Sequence, residues 1–179
     1  MGEKRIIGIH PGAYYETQRW PVENFSELIN KLQNDGKFDV IIFGGLSDRK
    51  IIREIESLVN EKITTYIGND LRFFSSLLSY CNIFICNNSG PLHMAVALNI
   101  PTISFMGPTV KEQWMPLGDK HEVLRMDILP CIGCNLGYCK IKTHDCMRQI
   151  APGDVMKLIL GSIQIQPVKK EEGHLSWNA

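Results

Sequence analysis

No charge of either sign dominates this chain of 179 residues: 19 Lys+Arg face 19 Asp+Glu, for a formal net charge of zero. Grip on nucleic acid or on a membrane surface through bulk charge is thereby excluded, and no nucleic-acid partner is expected. Long apolar runs are missing too; none approaches the ~18–20 residues that a membrane-spanning helix needs. The N-terminus enters strand-like sequence at once, at Arg5-Ile6-Ile7-Gly8-Ile9-His10, without a charged-then-apolar leader, so the expected location is the cytoplasm. The G-x-G-x-x-G spacing and the Walker pattern are both absent, which makes ordinary dinucleotide dehydrogenases and P-loop ATPases poor readings. There is no G-x-S-x-G elbow, and the five histidines form no H-E-x-x-H pair. No internal repeat or low-complexity block stands out.

What is present is ordinary globular material, 44% hydrophobic and 21% charged, in a length that suits one domain. Strand and helix patterns alternate almost from end to end. Apolar, β-branched runs at 5–10, 38–43, 63–67, 82–86, 101–106 and 122–125 read as strands. Between them, Phe25, Leu28, Ile29 and Leu32 mark one helical stripe that ends near Asp35-Gly36. Ile51, Ile52, Ile55, Leu58 and Val59 mark a second, with Ser47 or Asp48 as its N-cap. Phe73, Phe74, Leu77 and Leu78 mark a third; a short helix starts at Gly90-Pro91 and a last one covers 152–160. Residues 1–165 form the domain, and 166–179 read as a polar tail.

Strands apolar on both faces, each followed by a helix, imply α/β architecture: a doubly wound, Rossmann-like parallel sheet. In the common strand order 3-2-1-4-5-6, the ligand crevice opens between the C-terminal ends of strands 1 and 4. The loop at 10–18 and the loop at 87–93 are therefore predicted to face each other.

Asn87-Asn88-Ser89-Gly90-Pro91-Leu92-His93 is the most informative stretch. Free N–H groups and the positive dipole end at a helix start suit a phosphate or diphosphate. Gly90 permits close approach, Ser89 offers a hydroxyl, and His93 lies about one turn in. On local grounds alone the commoner reading is Ser89 capping a helix and His93 packing, partly buried, against its neighbours. Gly12, Ala13 and Tyr14 follow the first strand, where a first phosphate loop belongs. Asp48, after Gly44-Gly45, is placed either to take ribose hydroxyls or to cap a helix.

Cys81 and Cys86 read as small buried hydrophobes. The other four thiols crowd into residues 131–146 as Cys131-x2-Cys134-x4-Cys139-x6-Cys146. A tetrahedral structural zinc is one reading; disulfides and free thiols are the others.

Taken together, Gln18-Arg19-Trp20-Pro21-x3-Phe25, Phe43-Gly44-Gly45, Asn88 to Leu98 (NSGPLHMAVAL) and Pro101 to Thr109 (PTISFMGPT) resemble the C-terminal half of glycosyltransferase family 9. The best-known members of that family are the ADP-heptose:lipopolysaccharide heptosyltransferases. The resemblance runs from about residue 5 to residue 160. It implies one half of a GT-B fold, with this half holding the nucleotide-sugar donor and an absent N-terminal half holding the acceptor, a lipid-linked glycan, and the catalytic base. Transfer in the family is inverting and needs no cofactor. Carried over, Ser89, Gly90 and His93 would bind the diphosphate and stabilise it as it leaves. Asp48 would contact ribose, Asn69 would border the base, and Gly12, Ala13 and Tyr14 would line the first phosphate loop.

Two positions depart from the family pattern: Asn88 stands where Asp is usual, and Gln18 where Lys is common. The second change removes a cation that would help neutralise the diphosphate, leaving Arg19 as the candidate substitute. No carboxylate in the chain replaces the absent base. The reading that results is the donor-binding domain of an ADP-heptose-like glycosyltransferase in lipopolysaccharide or surface-glycan synthesis, peripheral to the inner membrane. The alternatives are a stand-alone nucleotide-binding module and a metal-binding or redox protein built on the cysteine cluster.

Overall fold

A computed structural model describes residues 4–162. The polar tail expected at 166–179 lies outside the described residues. Six parallel strands run β1 (Arg5–His10), β2 (Phe38–Gly44), β3 (Thr64–Ile67), β4 (Ile83–Asn87), β5 (Thr102–Phe105) and β6 (His121–Leu124). Their order is β3-β2-β1-β4-β5-β6, as predicted. Every C-terminal strand end therefore meets one rim of the sheet.

The strands divide their side chains between two cores. One face carries Ile7, Ile9, Ile42, Ile85, Ile103 and Phe105 under helices α1 (Val22–Asp35), α2 (Arg49–Leu58) and α7 (Pro152–Ser162). The other carries Phe43, Phe84, Cys86 and Met106 under α3 (Leu71–Leu78) and α4 (Gly90–Ala97). The predicted helical stripe of α1 is buried in full, and the helix stops at Gly36, whose φ of 75° lies in the left-handed region where glycine carries no Cβ penalty. Cys81 and Cys86 are buried within the second core as expected, and burial pushes the Cys81 thiol up to about 12.

Local patterning erred where tertiary contacts compete. Asp48 does not cap α2 with its side chain: a 3-10 turn over Leu46–Asp48 precedes the helix, and the carboxylate bonds back to Gly45 instead. Asp70 does cap α3, accepting from the Arg72 and Phe73 N–H groups at 2.9 and 3.0 Å. Two one-turn helices, α5 (Lys111–Trp114) and α6 (Asp145–Arg148), are too short to show a period in sequence.

Trp20 pins the loop after β1 to the first core. It is fully buried, stacked on Phe105 at 4.4 Å between ring centroids and edge-on to Phe25 at 4.9 Å. Its indole N–H donates to the Ile150 carbonyl at 3.0 Å. Trp20→Ala removes this ring and leaves a void, so the unfolding free energy measured in urea should fall by about 3–5 kcal/mol.

Candidate functional site

The predicted meeting of the two loops is made by one side chain. Asn87, fully buried at the end of β4, donates from Nδ2 to the Pro11 carbonyl at 2.7 Å and the Gly12 carbonyl at 3.3 Å. Its Oδ1 accepts the Trp20 N–H at 2.9 Å. Both N–H donors and the oxygen of this buried amide are engaged in holding the β1–α1 loop against the start of α4.

Over α4 the site is open. A Cβ built on Gly90 would meet no protein atom within 4 Å, so a ligand can reach the helix start. Ser89 occupies the cap position but gives no side-chain cap; its hydroxyl donates to the Asn87 carbonyl at 3.3 Å. Pro91 has no N–H and the Leu92 N–H donates to the Ser89 carbonyl at 3.0 Å, so the Gly90 N–H and the positive end of the helix dipole are what this helix start offers an anion. His93 is exposed, not packed in the core, with the half-exposed Trp114 ring 6.0 Å away. Asn88 is buried, and its N–H reaches the Phe105 carbonyl at 3.3 Å.

The loop after β1 is held from within. Arg19 spends its guanidinium on the Ala13 carbonyl, at 3.1 Å from Nε and 2.9 Å from Nη2. It therefore clamps the loop instead of offering the free cation that the loss of lysine at Gln18 calls for. Gln18 accepts the Tyr15 N–H at 3.4 Å, and Tyr14 stands 87% exposed at the loop tip.

Asp48 faces inward. Its Oδ2 accepts the Gly45 N–H at 2.9 Å and lies 3.5 Å from His10 Nε2. A Cβ at Gly12 would run into this carboxylate, so the loop backbone passes directly over it. Asn69, exposed after β3, accepts the Leu46 N–H at 3.3 Å and ties that strand end to the β2 loop. Every candidate donor-site residue thus lies on one rim, yet only Gly90, His93 and Tyr14 are exposed there without a side-chain hydrogen bond to the protein, while Ser89 is part-buried and bonded to the Asn87 carbonyl. The residues that sequence reasoning passed over are Asn87, His10 and Trp114. A polar residue ending an otherwise apolar strand was the available signal for Asn87. Beside the crevice, a groove of mixed charge between the starts of α1 and α2 (Glu16, Glu23, Lys50, Glu54, Arg148) shares only Arg19 with these candidates.

The four clustered thiols are free and line one small pocket with Thr17, Pro108, Leu136 and His144. As they stand they do not make the closed four-thiolate centre: among the described residues no three His, Cys, Asp or Glu side chains converge tightly enough to hold a metal ion. Cys134 is turned out to solvent while the other three are half-buried.

A doubly wound sheet with an open helix start beside its switch point, between β1 and β4, is the layout in which α/β proteins bind nucleotides. The profile of glycosyltransferase family 9 (heptosyltransferase) matches residues 1–143, and the chain belongs to that family. It is 28% identical over 160 residues to lipooligosaccharide heptosyltransferase 2 of Campylobacter jejuni, covering 86% of this chain and 50% of the relative. It is 31% identical over 149 residues to lipopolysaccharide heptosyltransferase 2 of Escherichia coli, covering 80% and 40%. Among solved structures, E. coli ADP-heptose LPS heptosyltransferase II superposes with a TM-score of 0.75 at 28% identity, over 90% of this chain and 47% of that one. The chain spans about half the length of these curated relatives.

Burial alone would raise the Asp48 carboxyl above its ordinary 3.8. The His10 ring, the Gly45 N–H and the nearby Arg19 charge outweigh burial and hold it lower. A carboxyl depressed by folding adds stability above its unfolded value and loses it as pH falls through the folded one. The difference in urea midpoint between the native chain and Asp48→Asn should therefore be full at pH 7 and shrink below about pH 4. A difference independent of pH would show that the charge is not held in this way.

Proposed function

We propose that this domain holds the donor of an inverting sugar transfer, an ADP-heptose-like nucleotide sugar, through its diphosphate. The carrying observation is the open start of α4: uncapped by Ser89, clear above Gly90 and flanked by exposed His93. In a chain with no net charge, that local dipole and a few donors supply the attraction for phosphate. As the sugar–phosphate bond breaks, charge builds on the leaving diphosphate, and fixed N–H dipoles with an imidazole donor stabilise it without rearranging. Ser89, Gly90 and His93 take this role. Gly12, Ala13, Tyr14 and Gln18 wall the opposite side, with Arg19 bracing them from behind. Asn88 retains hydrogen-bonding capacity but no anion.

Asp48 and Asn69 complete the rim toward the ribose. With its carboxylate directed at Gly45 and His10, Asp48 would meet a ribose hydroxyl through what remains of its acceptor capacity. The attacking hydroxyl, its base and the lipid-linked glycan belong to the remaining half that the longer relatives contain. Among the described residues no helix is long and apolar enough to cross a membrane. The family relationship supports work at the cytoplasmic face of the inner membrane, on lipopolysaccharide or another surface glycan.

Titration calorimetry with ADP and ADP-heptose tests the reading; failure to bind any nucleoside diphosphate overturns it. His93→Ala should weaken ADP binding by about 1–3 kcal/mol if the imidazole makes a charge-assisted bond. Sugar transfer to a lipid-core acceptor by these 179 residues alone would overturn the assignment of the base to another domain.

For the cysteine segment, the finer reading is a structural zinc held by Cys131, Cys134, Cys139 and Cys146, supported by their sharing one pocket. Such an ion would staple the segment and take no part in transfer. Protein purified without chelator should then carry about one zinc per chain by elemental analysis; a folded, metal-free sample rejects it.

A further inference from the structure

The cysteine segment is fastened to the loop after β1 at three points. Thr17, buried in that loop, donates its hydroxyl to the Leu136 carbonyl at 2.8 Å. His144 Nε2 lies 2.6 Å from the Thr17 carbonyl, and since a carbonyl only accepts, Nε2 carries the proton. The Tyr15 ring packs against Gly137, where an added Cβ would meet it at 2.7 Å. Thr17 and His144 also line the pocket of Cys131, Cys134, Cys139 and Cys146. One face of each therefore touches the thiols' surroundings while the other sets the course of the loop.

On its inner side the same loop is gripped by Asn87 at Pro11 and Gly12 and by Arg19 at Ala13. The outer arm, residues 14–18, is tied to the rest of the domain through the cysteine segment. His144 is moreover held in the left-handed region, at φ 57°, as are Asn135 and Lys142 at 53° and 60°. Such backbone persists only where surrounding contacts over-determine it, so a disturbance of the segment has few harmless ways to relax.

We propose that Thr17 and His144 are positioning residues for the donor phosphates, and that through them the state of the four-thiol pocket sets how tightly a nucleoside diphosphate is held. The inference rests on the reading of the β1–α1 loop as one wall of the donor site. Neither residue touches the donor; each acts by placing Ala13 and Tyr14 opposite the start of α4. Bulk added to the pocket pushes Leu136 and His144 away from Thr17 and opens that wall.

ADP titrated into the full 179-residue chain supplies the test. Thr17→Val keeps the shape and deletes the hydroxyl, and it should weaken ADP binding roughly threefold to tenfold, while Thr17→Ser retains the native affinity. Added after a chelator has stripped any bound zinc, iodoacetamide should reach the exposed and half-buried thiols of the pocket ahead of the buried Cys81 and Cys86. The alkylated native chain should likewise bind ADP more weakly, by roughly the same threefold to tenfold. Native affinity in both Thr17→Val and the alkylated chain, even with a lower melting temperature, overturns the proposal. Where Thr17→Val does not fold, the alkylation arm decides alone. A native chain that binds no ADP sinks the donor-site reading itself; one that binds ADP indifferently to Thr17 and the thiols sinks only this inference.

Discussion

The buried amide of Asn87 is the joint on which the rim depends. Its two N–H bonds fix carbonyls of Pro11 and Gly12, and its oxygen fixes the backbone N–H of Trp20. Because the group is fully buried, a lost partner would leave a polar atom shielded from bulk water, and each bond is worth more than its surface equivalent. From this joint the constraint spreads outward. Trp20, once placed, stacks on Phe105 and closes the first core; Gly12, once placed, lies over the Asp48 carboxylate, which is in turn held by Gly45. Core packing and site geometry are thus one problem solved by one side chain.

The architecture was legible in the sequence because parallel strands buried on both faces leave short, bounded apolar runs, and because the helices between them carry clean stripes. The opposition of the two loops followed from strand order alone. Strand limits shifted by a single residue where a neighbour's ladder begins or ends. Asn87 is the instructive miss, for it sits inside the most informative motif and yet works as a brace, not a ligand contact. Local pattern cannot distinguish a polar side chain aimed at a ligand from one aimed at a backbone 76 residues away. Asp48 and Arg19 illustrate the same limit: both have the chemistry for a nucleotide, and both are turned to the protein's own backbone. The cysteines were readable as a cluster, but neither their pocket nor its attachment to Thr17 was.

A division of labour follows. Residues with strong charge or strong donors (Arg19, Asp48, Asn87) build the wall, while weak dipoles and one imidazole face the open space over Gly90. Under the proposed donor reading, such a face would attract phosphate without binding every anion, which would suit release of a diphosphate. Membership of glycosyltransferase family 9 accords with the proposed donor reading, and the chain spans about half its relatives' length.

The parallel sheet has a second rim, and it is built differently. There the connections include Gly36 in its left-handed turn, the links before β3, β4 and β6, and Asn99 at a φ of 56° before β5. None of the candidate site residues lies on that side, so its turns answer only to chain geometry. Labels, affinity tags or inserted peptides joined on that rim would lie at the end of the sheet away from the candidate site.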